Sequence, residues 1–250
     1  MSLHPARFSI EITDVAREYL AAAYPQLIGR PIIHDPFAGT GERLALMCDV
    51  VWDGWGFPYS GTEIEGCFIA APGIIEGSAL DPDTYPPARY PSEVATGGWV
   101  VFTSPAYPNG MADSHKPKDA SKRYNYRVAK MQITGDPDAN LHEDNMGRYG
   151  YRGTLREGNS QRRKRYWEIA EGAVALWGSA DMVMVNVSDF VTKVNDERFV
   201  EPLVDDWANL LRRHGWTITD QIPIGTPRMR NGENADARVD YEYLLIGKKL

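Results

Sequence analysis

Stretches of the chain that repeat apolar side chains every three or four positions alternate with short stretches that are apolar throughout. Ile12, Val15, Ala16, Tyr19 and Leu20 set a helical period over Ile10–Ala23, and Pro25 and Gly29 end it. A short apolar run closing at His34 reads as a strand, followed by a helix from Glu42 to Val50. Tyr59–Ile64 reads as a second strand, Phe68–Ala71 as a short helix and Ile74–Glu76 as a third, short strand. Trp99–Phe102 and Met182–Val187 are apolar without alternation, the pattern of strands covered on both faces. Helical spacing returns over Tyr166–Trp177, and Phe199–His214 reads as an amphipathic helix stopped by Gly215. Trp216–Ile224 and Val239–Ile246, separated by a polar Gly/Pro/Asn/Arg loop, read as an antiparallel pair. Such alternation predicts an α/β fold with a mostly parallel sheet and helices on both faces. Between Pro108 and Ser160 the periodicity vanishes; a stretch of that length inside a compact domain is functional or mobile.

With 250 residues, 43% of them hydrophobic and 24% charged, the chain suits one well-cored domain over residues 1–250, with residues 108–160 as an insert. No apolar run reaches the length of a membrane span, and Met1–Arg7 lacks the apolar core of a signal peptide. Cys48 and Cys67 are too few for a disulfide framework, have no zinc-type spacing and read as small core residues. The expectation is a cytoplasmic protein with no metal and no membrane partner. A net charge of −7 speaks against a polyanionic partner until its distribution is considered. Lys116 to Arg165 carries 13 Lys/Arg against 6 Asp/Glu, leaving 14 basic and 28 acidic residues elsewhere. An acidic body with one basic segment suits a phosphate backbone held in one place.

The candidate chemistry starts where the first strand ends, at Asp35-Pro36-Phe37-Ala38-Gly39-Thr40-Gly41. A glycine turn between strand and helix lets a ligand approach the backbone and presents free amides. Glu42-Arg43 follows where a Walker loop needs Lys-Ser/Thr, and Leu44 stands where a dinucleotide fingerprint needs its third glycine. The wording resembles motif I of S-adenosylmethionine (SAM)-dependent methyltransferases that modify exocyclic amines of nucleic-acid bases. That resemblance covers nearly the whole chain. It implies a Rossmann-like class I methyltransferase fold, with a seven-stranded sheet closing in an antiparallel hairpin, and SAM as cofactor.

Site residues follow from the resemblance. Asp35, Phe37, Ala38, Gly39, Thr40 and Gly41 would surround the cofactor. Glu63, followed by Ile64, would accept hydrogen bonds from both ribose hydroxyls; Glu65 is the alternative acid. Ser78, Ala79 and Leu80 resemble the family's third motif, with Ser78 standing where an adenine-binding Asp is usual. Arg7 and Phe8 belong to a segment that would close over the amino-acid end of SAM. Ser104-Pro105-Ala106-Tyr107, after the apolar strand, resembles the Asp/Asn/Ser-Pro-Pro-Tyr/Phe motif, with Ala106 replacing the second proline.

An amine conjugated to a base is a poor nucleophile. Ser104 Oγ and the Pro105 carbonyl would accept its two hydrogens, and Tyr107 would stack on the extruded base. Asn186-Val187-Ser188-Asp189 resembles a later pocket-lining motif; Asp189 either contacts the base or caps the following segment. Lys122, Arg123, Arg127, Arg148 and Arg152 alternate with tyrosines, Arg162 and Arg163 open the next helix, and together these are the candidate nucleic-acid contacts. The implied activity is methylation of adenine N6 or cytosine N4 in DNA, in a compact format like that of phage enzymes. RNA or protein-amide methylation, or nucleic-acid binding without transfer, are the alternatives.

Overall fold

A computed structural model of the chain describes residues 8–26, 29–48, 56–106, 108, 126–136, 140–149, 157–194, 197–225 and 241–249. Helix α1 (Ile10–Ala23) is capped by Ser9, whose side chain accepts from the Ile12 amide. Strand β1 (Ile32–Asp35) leads through the glycine turn into α2 (Glu42–Cys48). Then come β2 (Tyr59–Glu63) and β3 (Ile74–Glu76), with a single 3-10 turn at Gly66–Phe68 where a helix over Phe68–Ala71 was expected. Two short helices, α3 (Pro86–Arg89) and α4 (Pro91–Gly97), each start on a proline, which suits a first turn that has no use for its N–H. Strand β4 (Trp99–Thr103) follows. In the stretch read as structureless, α5 (Tyr126–Thr134) forms, and α6 (Glu157–Leu176) begins well before the predicted Tyr166.

Strand β5 (Met182–Val187) is buried throughout, like β4. The helix expected from Phe199 is a correction. Phe199 and Val200 lie in β7 (Glu197–Glu201), paired antiparallel with β6 (Phe190–Val194). Pro202 then ends the strand and stands as N-cap of α7 (Leu203–Arg213). The chain closes with β8 (Thr217–Gly225) and β9 (Tyr241–Lys248).

The main sheet has the order β3-β2-β1-β4-β5-β9-β8. Strands β1 to β5 pair in parallel, while β9 runs antiparallel to both β5 and β8. This is the predicted seven-stranded Rossmann-like sheet with its closing hairpin. Side chains alternate across it. Val100, Phe102, Met182 and Met184 pack with α1 and α2, while Trp99, Val101, Val183 and Val185 pack with α6 and α7. Strand order reverses between β1 and β4, so the loops leaving their C-terminal ends diverge to opposite faces and open a crevice. No helix among the described residues is long and apolar enough to cross a membrane.

Candidate active site

A cleft of about 800 Å³, its open mouth included, lies at that switch point. One wall is the turn from Asp35 to Gly41, with Glu42 and Leu44 behind it. Glu63 and Ile64 end β2 beside it, Ser104 and Ala106 follow β4, and Phe8 and Ala79 complete the floor. Gly39 and Gly41 have φ of +57° and +65°, a region where side chains cost free energy. Gly61 brings the turn close: a Cβ there would stand 2.9 Å from the Ala38 Cβ. The Ala38 amide donates to the Thr62 carbonyl at 3.0 Å, binding turn to strand.

Three buried carboxylates surround this turn. Asp35 Oδ1 accepts from the Phe37 amide at 3.0 Å and from Thr103 Oγ1 at 2.6 Å. Burial nevertheless pushes the Asp35 carboxyl up to about 7. Glu63 Oε2 accepts from the Gly39 amide at 2.8 Å and Oε1 from the Glu65 amide at 2.9 Å. Burial, with the negative charges of Glu65 and Asp35 adding to it, pushes Glu63 up to about 7 against those two bonds. Glu65 itself accepts from Lys130 Nζ, the His142 amide and Asn145 Nδ2, all from the insert.

The third wall, Asp144-Asn145-Met146, had not been anticipated. Asp144 pairs with Arg165 at 2.8 Å, and Met146 is buried against α6. Among the described lining residues there are four carboxylates and no Lys, Arg or His. The lining therefore suits a ligand that brings cationic groups and hydroxyl donors against apolar surface, and it disfavours a phosphate group.

The other candidates are placed as follows. Phe8 is buried and packs on Phe102, with ring centroids 4.7 Å apart. Ser78 Oγ accepts from the Leu80 amide at 3.1 Å; neither residue lines the cleft, and Leu80 packs with the α6 core instead. Ser104 Oγ accepts from Asn186 Nδ2 at 3.4 Å, and the same Nδ2 donates to Glu242 Oε2 at 3.1 Å. Pro105 is buried, and the Ala106 carbonyl accepts from Tyr166 Oη at 3.0 Å. Asp189 takes the capping alternative, with Oδ1 accepting from the Val204 amide at the start of α7. Arg148 donates to the Leu141 carbonyl, Arg162 is half-buried on α6, and Arg163 pairs with Asp206 and Glu201. Arg7, Tyr107, Lys122, Arg123, Arg152 and the Arg127 side chain lie outside the described residues. Cys48 is buried as expected, but Cys67 is only half-buried. No group of three or more metal-ligating side chains occurs among the described residues.

No protein-family model matches the sequence, and no curated protein matches it. Solved structures do. A proposed DNA modification methylase from Thermus thermophilus, complexed with S-adenosyl-L-methionine, is similar at 15% identity with a TM-score of 0.30. That match covers 39% of this chain and 42% of the Thermus chain. A SAM-dependent methyltransferase from Archaeoglobus fulgidus is similar at 12% identity with a TM-score of 0.40, over 95% and 94% of the two chains. A small RNA methyltransferase is similar at 12% identity with a TM-score of 0.43, over 98% of this chain and 26% of its own. The fold assignment itself rests on the sheet order, which is the Rossmann-like arrangement of class I methyltransferases.

Proposed function

We propose that the chain binds SAM in this cleft and transfers its methyl group to an exocyclic amine of a nucleic-acid base, adenine N6 or cytosine N4 of DNA. The observation that carries this reading is the meeting of Glu63, the Gly39–Gly41 turn and Ser104 around one acidic, apolar-backed cleft. SAM carries a sulfonium and an ammonium, and the lining offers it Asp35, Glu42 and Glu63 beside an Asp144 already paired with Arg165, with no Lys, Arg or His of its own among the described lining residues. Glu63 retains acceptor capacity for ribose hydroxyls because a carboxylate has about four lone-pair sites and two amides occupy only part of it. Phe8, Phe37, Ile64 and Met146 supply apolar surface for the adenine ring.

Bound SAM would supply an electrophilic methyl carbon, its sulfur keeping the electron pair of the carbon–sulfur bond as the amine nitrogen takes the methyl. Ser104 Oγ and the Pro105 carbonyl accept the two amine hydrogens. They draw the nitrogen toward a tetrahedral shape and stand beside the proton it sheds to solvent. Tyr107 stacks on the extruded base. Alignment of nitrogen, carbon and sulfur supplies most of the rate. The insert and the start of α6, through Lys122, Arg123, Arg127, Arg148, Arg152, Arg162 and Arg163, hold the phosphate backbone.

The test is incubation with tritiated SAM and unmethylated genomic DNA, followed by nucleoside mass spectrometry. N6-methyladenine or N4-methylcytosine is the expected product, and Ser104→Ala or Tyr107→Ala should abolish it while SAM affinity stays near wild type. Label confined to RNA or to protein would move the substrate class. SAM binding without transfer to any nucleic acid would leave a binding protein that keeps the fold.

A further inference from the structure

We infer that Glu65 is a positioning residue that builds the third wall of the cleft out of the basic insert, so that holding the donor and docking the insert become one event. The inference rests on the SAM reading above. Glu65 is 3% exposed, and its carboxylate takes three donors from the insert: Lys130 Nζ at 2.5 Å, the His142 amide at 2.6 Å and Asn145 Nδ2 at 3.2 Å. Its own amide donates to Glu63 Oε1. A continuous chain of bonds therefore runs from the Gly39 amide through Glu63 and Glu65 to Asn145.

The three links measure 2.8, 2.9 and 3.2 Å and are buried, where an unmatched partner is costly. Asn145 is fixed further because its Oδ1 accepts from the Gly147 amide. Lys130 also donates to the Asn140 carbonyl, so one ammonium joins α5, Glu65 and the start of the 140–145 turn. Glu65 thus holds the segment that brings Asp144, Asn145 and Met146 to the cleft from the β2 side, while Arg165 and the α6 core hold it from the other. Basic residues precede α5 in sequence at Lys122 and Arg123, and Arg127 lies in its first turn. A donor pressing on the wall therefore stabilises the docked insert, and by linkage a docked insert strengthens donor binding.

The experiment combines SAM calorimetry with hydrogen exchange over residues 126–149 for wild type, Glu65→Gln and Lys130→Met. Glu65→Gln should weaken SAM on the order of tenfold and speed exchange in 140–149, leaving β4 and β5 as protected as before. Lys130→Met should show smaller changes in both. In wild type, SAM should slow exchange in 140–149, and Glu65→Gln should lose most of that slowing even at saturating SAM, a loss that a purely structural Glu65 would not produce. Wild-type SAM affinity in Glu65→Gln, or exchange in 140–149 indifferent to SAM, overturns the coupling. Should the wild type fail to bind SAM, the donor reading falls instead; faster exchange in Glu65→Gln would then still uphold the wall's dependence on Glu65, and unchanged exchange would overturn it.

Discussion

Thr103 Oγ1 donates to Asp35 Oδ1 at 2.6 Å, joining the C-terminal ends of two strands whose residues stand 68 positions apart. The bond ties the glycine turn to the loop that carries Ser104, so the two halves of the cleft share one anchor. Thr103→Val keeps the shape and removes the donor, leaving a fully buried carboxyl with the Phe37 amide. At pH 8, where Asp35 is charged, unfolding should become easier by about 1–3 kcal/mol. The measurement is a urea midpoint that falls at unchanged slope. An unshifted midpoint would assign the alignment of β1 and β4 to their backbone pairing alone.

Glu63 gives a pH dependence of determined sign. Its folded-state value is about 7 against an ordinary 4.5, so between these values the folded chain keeps a proton that the unfolded chain releases. Stability therefore falls as pH rises through that window. Glu63→Gln removes this contribution, and the stability of wild type relative to the variant should drop from pH 5 to pH 8. Buried His34, held down to about 3 by burial and by Arg89, has the opposite slope below its ordinary range. It is present in both proteins and cancels. A cationic donor favours the ionised carboxyl, so SAM should bind more tightly at pH 8 than at pH 6 and release protons on binding. Calorimetry in two buffers of different ionisation enthalpy reads that release; its absence would place the donor away from Glu63.

The sheet was legible because its central strands are buried on both faces. Trp99–Phe102 and Met182–Val187 have no polar alternation to confuse, and the glycine turn after Asp35 has few other uses. Elements whose identity depends on distant partners were not. Phe199 and Val200 fit a helical period, yet Pro202 blocks that helix and β6 offers them a ladder, leaving them 47% and 59% exposed. Pro86 and Pro91 look like loop punctuation and in fact open helices. The wall at Asp144–Met146 left no local signal, because Glu65, some 80 residues earlier, holds it in place.

Two glycines separate ligand access from backbone strain. A Cβ on Gly61 would crowd the Ala38 Cβ at 2.9 Å and Tyr59 Oη at 3.1 Å, pushing the turn off β2. Gly61→Ala should cost roughly 1–3 kcal/mol in stability and weaken SAM binding as the turn shifts. Gly215, at φ +83°, has nothing within 4 Å of where a methyl would stand, so Gly215→Ala meets strain alone. It should cost about 1–2 kcal/mol in stability and leave SAM affinity unchanged. Paired unfolding and SAM titration check both. Equal effects on affinity would mean that the turn's approach to β2 does not shape the donor site.

Asn186 donates to Ser104 Oγ and to Glu242 Oε2 through one nitrogen, while its Oδ1 is buried without a hydrogen-bond partner. The bond uses one lone pair of the serine oxygen and fixes the direction of the other. If Ser104 accepts from the substrate amine, that direction decides how well the nitrogen points at the methyl. Asn186→Ala frees the serine to rotate without touching the glycine turn or Glu63. The expected result is a kcat lowered roughly 10-fold to 100-fold, with KM for nucleic acid and SAM affinity near wild type. Asn186→Ala combined with Ser104→Ala should be no worse than Ser104→Ala alone, because the first acts through the second. Additive losses in that double variant would show that Asn186 serves the strand pair β5–β9 and not the serine.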